Sequence, residues 1–463
     1  MKKILLIKLL LVAITGSSQS SLPLIKISAN KRFFVTGKDQ PFFWLGDTGW
    51  LLFIKCKREE AIQYLDDRQR KGYNVIQAML VHDINLGVNA YGDSALLNKD
   101  VSKPVVTPGR SFSNAAAYDF WDNVDYVIEE AAKRGIYMAL VPIWGGNIKH
   151  VNSKQAAAYA AFLAKRYKKH NNIIWLNGGD IKGTDGFDQW NTIGNTLYSL
   201  DKRHLITFHP RERNSSSTWF HNAPWLDFNM FQSGHRSYAQ DTSVSETLHY
   251  GEDNWRYVVD DYSLTPTKPT LDGEPSYEGI PYGLHKANEP YWQDYEIRRY
   301  AYWSVFAGAA GFTYGHNSVM QFYTPGDSGV SFFPKVKWQD GLTAPGAGQL
   351  GYLKELILSH SYFDRLPAQQ LVLDNDEKYN KVLATRGLNY AMFYTYNGRD
   401  FTVDIAKIGL VTPGFFWFDP RTGSKEAFTP AMNSGLMKFN PPGEIKNGND
   451  WVLIIEQPRM LIR

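Results

Sequence analysis

Short apolar stretches alternate with longer amphipathic ones eight times along the chain, and this repetition constrains the fold more than any other feature. Pro41–Gly46, Asn74–Leu80, Ile136–Ile143, Ile173–Asn177, Leu205–His209, Phe228–Gln232, Thr270–Gly273 and Gly311–Tyr314 read as strands. Helical spacing of apolar residues marks Arg58–Lys71, Ala115–Arg134, Ser153–His170, Gly186–Leu200, Asp253–Tyr262, Tyr291–Ala307 and Gly348–Ser359. Gly72 and Gly135 follow the first two, as glycine follows helices that end in a left-handed residue. Strands that are apolar throughout belong to a parallel sheet covered by helices, and eight such units in succession predict a closed (β/α)₈ barrel. No glycine-rich phosphate loop follows the first strand, which argues against a dinucleotide fold.

From about Pro367 the period changes. Lys381–Thr385, Tyr390–Tyr396, Phe401–Asp404, Gly414–Asp419 and Trp451–Glu456 are short β-type segments separated by turn residues such as Asn397-Gly398 and Thr422-Gly423. We therefore expect a signal peptide at 1–21, a barrel at 22–362 and a small β-sandwich at 363–463. Lys2 and Lys3 precede an apolar run, Ile4 to Ile14, and small polar residues follow it, the three-part layout of a secretory leader. The expectation is a protein exported to the periplasm or the medium. That run is too short to span a bilayer, and no later one is apolar enough.

Composition narrows the partners. A net charge of +4 over 463 residues, with no Lys/Arg stripe, gives no nucleic-acid footprint. The single cysteine, Cys56, excludes an intramolecular disulfide and a thiolate metal cluster. Aromatic residues reach 14%, and flat rings suit both cores and sugar faces, so only their placement decides.

Active sites of such barrels lie at the C-terminal ends of the strands. Those ends carry Asp47, His82 and Asp83, Trp144 and Asn147, Asn177 and Asp180, His209 and Arg211, Gln232 and His235, Glu274, Tyr277 and Glu278, and His316 and Asn317. Any one of these can cap a helix or satisfy a loop. A polar residue at all eight ends points to a pocket. Asp47, Trp50, His82, Trp144, Asn177, His209, Arg211, Gln232, His235, Tyr277 and His316 are the expected substrate contacts, with Trp50 and Trp144 stacking on sugar rings. Glycoside hydrolysis needs two carboxyl groups across the scissile bond, one to protonate the leaving oxygen and one to attack or to activate water. Asp180, after Gly178-Gly179, and Glu274, before Pro275, project from strands on opposite sides of an eight-stranded barrel. Asp272, two residues before Glu274, is expected beneath the site, and Glu278 lies nearby.

The segments Phe42-Phe43-Trp44-Leu45-Gly46-Asp47-Thr48-Gly49-Trp50 and Lys71-Gly72-Tyr73-Asn74-Val75-Ile76-Gln77 resemble the apiosidase-like enzymes, glycoside hydrolase family 140. So do Asn177-Gly178-Gly179-Asp180, His209-Pro210-Arg211 and Asp272-Gly273-Glu274-Pro275. Trp417-Phe418-Asp419-Pro420-Arg421-Thr422-Gly423 is similar to the collagen-binding-type β domain that follows the barrel there. The resemblance covers nearly all of the chain beyond the leader. It implies a retaining mechanism, with Asp180 as acid/base and Glu274 as nucleophile. It also implies release of apiose from pectic side chains of the rhamnogalacturonan II type. No cofactor or metal is called for. Two rivals remain at this stage. Histidines at strand ends suggest a metal-dependent hydrolase, but the first strand lacks a His-x-His pair. The β module and the aromatic content suggest a non-catalytic carbohydrate-binding protein, which would have no need of both carboxylates.

Overall fold

The computed structural model describes residues 22–242, 244, 246, 248–430 and 435–457. The expected leader at 1–21 lies outside the described residues. Eight strands form the barrel: β1 (Trp44–Thr48), β2 (Val75–Met79), β3 (Tyr137–Val141), β4 (Ile173–Ile181), β5 (Ile206–Pro210), β6 (Asn229–Gln232), β7 (Thr270–Asp272) and β8 (Gly311–Tyr314). They pair in parallel from β1 to β5, and from β6 through β7 and β8 back to β1. The last seam, between β5 and β6, is held by the Asp227 amide donating to the Ile206 carbonyl at 2.8 Å and by Thr207 Oγ1 donating to the Phe228 carbonyl at 2.6 Å. A two-residue segment, Asn214–Ser215, adds an antiparallel edge to β6.

The expected first strand, Pro41–Gly46, is in fact split. Pro41–Phe42 closes a three-stranded antiparallel sheet with Ile25–Ile27 and Phe34–Thr36, and the barrel strand begins at Trp44. This small sheet plugs the base of the barrel. The ring of Phe34 meets Trp44 at 5.9 Å and Phe228 at 5.0 Å, all three fully buried.

Helices α1 (Arg58–Arg70), α2 (Phe120–Lys133), α3 (Ser153–Tyr167), α4 (Phe187–Leu200), α5 (Trp255–Ser263), α6 (Asp294–Phe306) and α7 (Pro345–Leu358) cover the strands. Their ends follow local chemistry. The expected helix Ala115–Arg134 starts only at Phe120, because the Asp119 side chain caps it, accepting from the amides of Trp121 and Asp122 at 2.8 and 3.1 Å. Ala115–Ala117 is a separate single turn. Asn152 caps α3 in the same way.

The C-terminal strands are β9 (Val382–Arg386), β10 (Tyr390–Thr395), β11 (Phe401–Asp404), β12 (Gly414–Phe418), β13 (Lys425–Phe428), β14 (Leu436–Phe439) and β15 (Trp451–Glu456). One antiparallel sheet runs β9-β10-β15-β12-β13, with Leu366–Pro367 at its edge, and β11 and β14 form a second. Phe393, Phe401, Val403, Phe415, Met437, Phe439 and Leu453 fill the space between them, which makes a sandwich. The other face of the larger sheet joins the barrel core through Met392, Tyr394, Val452 and Ile454. Tyr394 stacks on Tyr302 of α6, with centroids 4.7 Å apart and planes 14° apart. Beside this stack, buried Arg298 grips buried Asp450 with Nε and Nη2 at 2.9 and 2.8 Å.

Removing one member of a buried ion pair leaves an uncompensated charge. Asp450→Ala should cost about 3–5 kcal/mol, read as a lower midpoint in chemical denaturation. A midpoint like that of the wild type would show that barrel and sandwich do not depend on this pair.

Candidate active site

A cavity of about 560 Å³ opens at the C-terminal end of the barrel. Its lining includes Asp180, Glu274, Trp50, Trp144, His82, Arg211, Gln232, His235 and Tyr277, so the structure brings together nine of the residues expected there. His209 lies just beneath, in edge contact with Trp50 at 5.2 Å.

Three expected contacts stand elsewhere, and side-chain alternation explains each. Asp47 faces α1, where its Oδ2 accepts from Tyr64 Oη and Arg68 Nε, both at 2.6 Å. It is fully buried behind the strand. Asn177 also points outward and donates to the Trp190 carbonyl of α4 at 2.8 Å. His316 shares the outward parity of Tyr314, and its Nδ1 accepts from the Ser318 amide at 3.2 Å, capping the short helix Asn317–Met320. Burial pushes its pKa down to about 3. Asp272 is buried, but behind the strand rather than beneath the pocket, accepting from Ser233 Oγ at 2.7 Å and Asn254 Nδ2 at 3.0 Å. Glu278 likewise lies outside the cavity lining, accepting from Tyr314 Oη at 2.6 Å.

Asp180 reaches the pocket through an irregularity. Gly178, Gly179 and Asp180 all hold positive φ, at 92°, 109° and 46°. The β4–β5 register slips between Gly178 and Ile181, so β4 runs past its expected end at Asn177. Glycine is required at the first two positions. A Cβ on Gly178 would lie 2.6 Å from the His209 carbonyl oxygen, and one on Gly179 would lie 2.7 Å from the Trp144 ring. An aspartate in the left-handed region is tolerated but strained. The carboxyl is open to solvent through the pocket mouth yet set deep among protein atoms. That enclosure, reinforced by the negative charge of Glu274, raises its pKa well above the usual carboxylate range.

Glu274 is treated in the opposite way. Burial alone would raise it, but His235 Nε2 contacts Oε1 at 3.2 Å and His209 Nε2 lies 3.3 Å from Oε2. These two imidazoles outweigh burial and hold the carboxylate below its ordinary value. Trp50 Nε1 donates to Tyr277 Oη at 3.2 Å, and the Tyr277 ring meets His235 edge-on at 4.8 Å, which fixes the wall around Glu274.

Several lining residues escaped the sequence reading. Glu212 and Arg236 sit in the wall, and Gln321, Ser331 and Phe332 form part of it from the segment after β8. The Arg211-Glu212-Arg213 run just past strand five was the one available signal for Glu212. Conversely, the long loop from His82 to Asn114 contributes only His82. Among the described residues no group of three or more His, Cys, Asp or Glu side chains is arranged to hold a metal ion, and no helix is long and apolar enough to cross a membrane.

A closed parallel barrel with a two-carboxyl pocket at its C-terminal face is the architecture of a glycoside hydrolase, and the comparisons agree. The model of the family described as apiosidase-like, catalytic domain, matches residues 28–364, and that described as "Putative collagen-binding domain of a collagenase" matches residues 366–456. The chain belongs to the apiosidase-like family of glycoside hydrolases. It is similar to a solved structure described as a glycoside hydrolase, with 44% identity over 94% of this chain and 97% of that one and a TM-score of 0.87. It is also similar to a glycoside hydrolase family 5 protein from Bacteroides vulgatus ATCC 8482, with 41% identity, coverage of 94% and 93%, and a TM-score of 0.87. No curated protein matches the sequence.

The bulge makes a direct prediction. Gly178→Ala should lower stability by about 1–3 kcal/mol from backbone strain alone and should cut activity by displacing Asp180. Denaturation midpoints and initial rates on the same preparation check both effects.

Proposed function

We propose that this glycoside hydrolase is an exported, retaining, exo-acting enzyme that removes apiose from pectic side chains of the rhamnogalacturonan II type. The observation that carries the catalytic part is the opposite treatment of two carboxyls in one pocket: Asp180 is biased to keep its proton, Glu274 to lose it. That is the division of labour of acid and nucleophile. The family supports apiose as the sugar. A pocket walled on one side by Gln321, Ser331 and Phe332 suits the end of a glycan chain. The partner is then an oligosaccharide or polysaccharide, and the leader-like N-terminus supports a periplasmic or extracellular site of action.

In this reading Glu274 attacks the anomeric carbon while Asp180 gives its proton to the leaving oxygen. Formation of the glycosyl-enzyme removes the charge on Glu274, so the pKa of Asp180 falls and its carboxylate can take a proton from the attacking water. Trp50 and Trp144 offer ring faces to the sugar. His82, Arg211 and Gln232 offer hydrogen-bonding groups to its hydroxyls.

Release of apiose from a panel of pectic oligosaccharides, followed by mass spectrometry, tests the substrate. Glu274→Ala should abolish turnover, and added azide should restore a glycosyl azide of inverted configuration. A first product of inverted configuration from the wild type would remove Glu274 from the nucleophile role. Asp180→Ala should slow poor leaving groups far more than activated ones.

The pH profile follows from the two shifts. Activity requires Glu274 ionised and Asp180 protonated. It should therefore fall at low pH as Glu274 gains its proton, and at high pH as Asp180 loses its own. His235 favours the charged form of both carboxyls. His235→Gln should move both limbs of the kcat/KM profile to higher pH.

A further inference from the structure

A third carboxylate shares the pocket and has no part in the mechanism above. Glu212 is 8% exposed and lines the cavity with Asp180 and Glu274. Its Oε1 is held by Arg236 Nη2 at 3.0 Å, with Arg213 Nη2 farther off at 4.0 Å. Its Oε2 is buried and accepts no hydrogen bond. A buried acceptor without a donor carries a desolvation penalty, which makes this carboxylate costly to keep in the wall. The position is built rather than incidental. Gly234, at φ +84°, packs directly on this side chain, and a Cβ there would lie 2.8 Å from Glu212 Cβ and 3.0 Å from Oε2. The Gly234 amide donates to the backbone carbonyl of Glu274 at 3.2 Å, so the loop that carries His235 and Arg236 is tied to the segment just past β7 that carries Glu274.

We propose that the Glu212–Arg236 pair reads two adjacent hydroxyls of a neutral sugar unit in the pocket, the Glu212 carboxylate accepting from one and the Arg236 guanidinium donating to the other. The proposal rests on the reading of Asp180 and Glu274 as the catalytic pair. A carboxylate has only acceptors and a guanidinium only donors, so together they match a diol, whose hydroxyls can serve in either sense. A sugar acid at this spot would bring its own charge against Glu212, Glu274 and Asp180. Arg211 is the other cation in the lining, and it is turned toward Glu246 at 3.5 Å.

The same geometry makes Glu212 a positioning residue for the proton. Asp180 faces Glu274 and Glu212, which oppose its ionisation, and His209 and His235, which favour it. Arg236, bound to Glu212, adds positive charge to the same wall. Loss of the Glu212 charge therefore lets Asp180 ionise at lower pH. Loss of Arg236 leaves Glu212 bare and holds the Asp180 proton to higher pH.

The test compares the wild type with Glu212→Gln and Arg236→Gln. Hydrolysis of an aryl apiofuranoside is followed across pH, and Asp180 is titrated without substrate by carbon NMR of aspartate-labelled protein, assigned against Asp180→Asn. Glu212→Gln should lower kcat/KM at least tenfold, more through KM than kcat, and should move the alkaline limb and the Asp180 midpoint down. Arg236→Gln should also raise KM but should move the limb and midpoint up. Opposite displacements cannot come from loosened packing, which would move both variants the same way. A KM within twofold of the wild type together with an unmoved midpoint in Glu212→Gln would overturn the proposal, as would tighter inhibition of the wild type by galacturonate than by free apiose. A wild type that leaves the apioside intact while the NMR midpoints move apart as stated would remove the apiose reading and leave the coupling of Glu212 to Asp180 standing.

Discussion

At the end of β4 three consecutive residues, Gly178, Gly179 and Asp180, hold left-handed backbone, and the pocket floor is arranged around them. A regular strand would send Asp180 on in the alternation that already turns Asn177 outward to α4. The bulge interrupts it and brings the carboxylate over the barrel mouth. It also lets Trp144 lie flat against Gly179 and brings the His209 carbonyl close to Gly178. The wall facing Asp180, the backbone behind it and the histidine that supports Glu274 are all fixed by this one irregularity. Strain of this kind persists only where neighbouring structure determines it.

Electrostatics then separates two chemically similar groups. Both carboxyls lie in a desolvating pocket, so position alone would push both toward the neutral form. The difference is the pair of imidazoles, which approach Glu274 at 3.2 and 3.3 Å, His235 from the loop after β6 and His209 from β5 itself. No comparable donor reaches the Asp180 carboxyl among the contacts described above. The charge thus settles on one side of the pocket, and its field keeps the proton on the other.

Much of this was legible in the sequence. The eightfold repeat gives the barrel because period and apolar run length are local properties. Asp180 and Glu274 stand out because glycines and a proline mark the chain where it leaves its strands. The misassignments have one cause. Asp47, Asn177 and His316 lie at strand ends, but whether such a residue faces the pocket or a helix depends on strand register and on where a bulge falls. Asp47 pairs with Tyr64 and Arg68, residues 17 and 21 positions further on in α1, and that contact is non-local. Pro41–Phe42 joined the wrong sheet for a similar reason, since an apolar dipeptide does not say which partner it will meet. Glu212 was hidden among surface-like charges, and only the packing of Gly234 upon it shows that it is held in place.

The sandwich is seated on α6 through the Tyr302–Tyr394 stack and the Arg298–Asp450 pair, and α7 ends only eight residues before the first segment of that domain. A carbohydrate-binding module on a long linker searches a volume, and its effect on catalysis is an effective concentration that falls as the tether lengthens. Here there is no tether to lengthen. Whatever surface the outer sheet of β11 and β14 engages, it would be held at one fixed distance and angle from the pocket. The enzyme would then act as a jig, reaching only those glycosidic bonds that lie at that offset from its foothold.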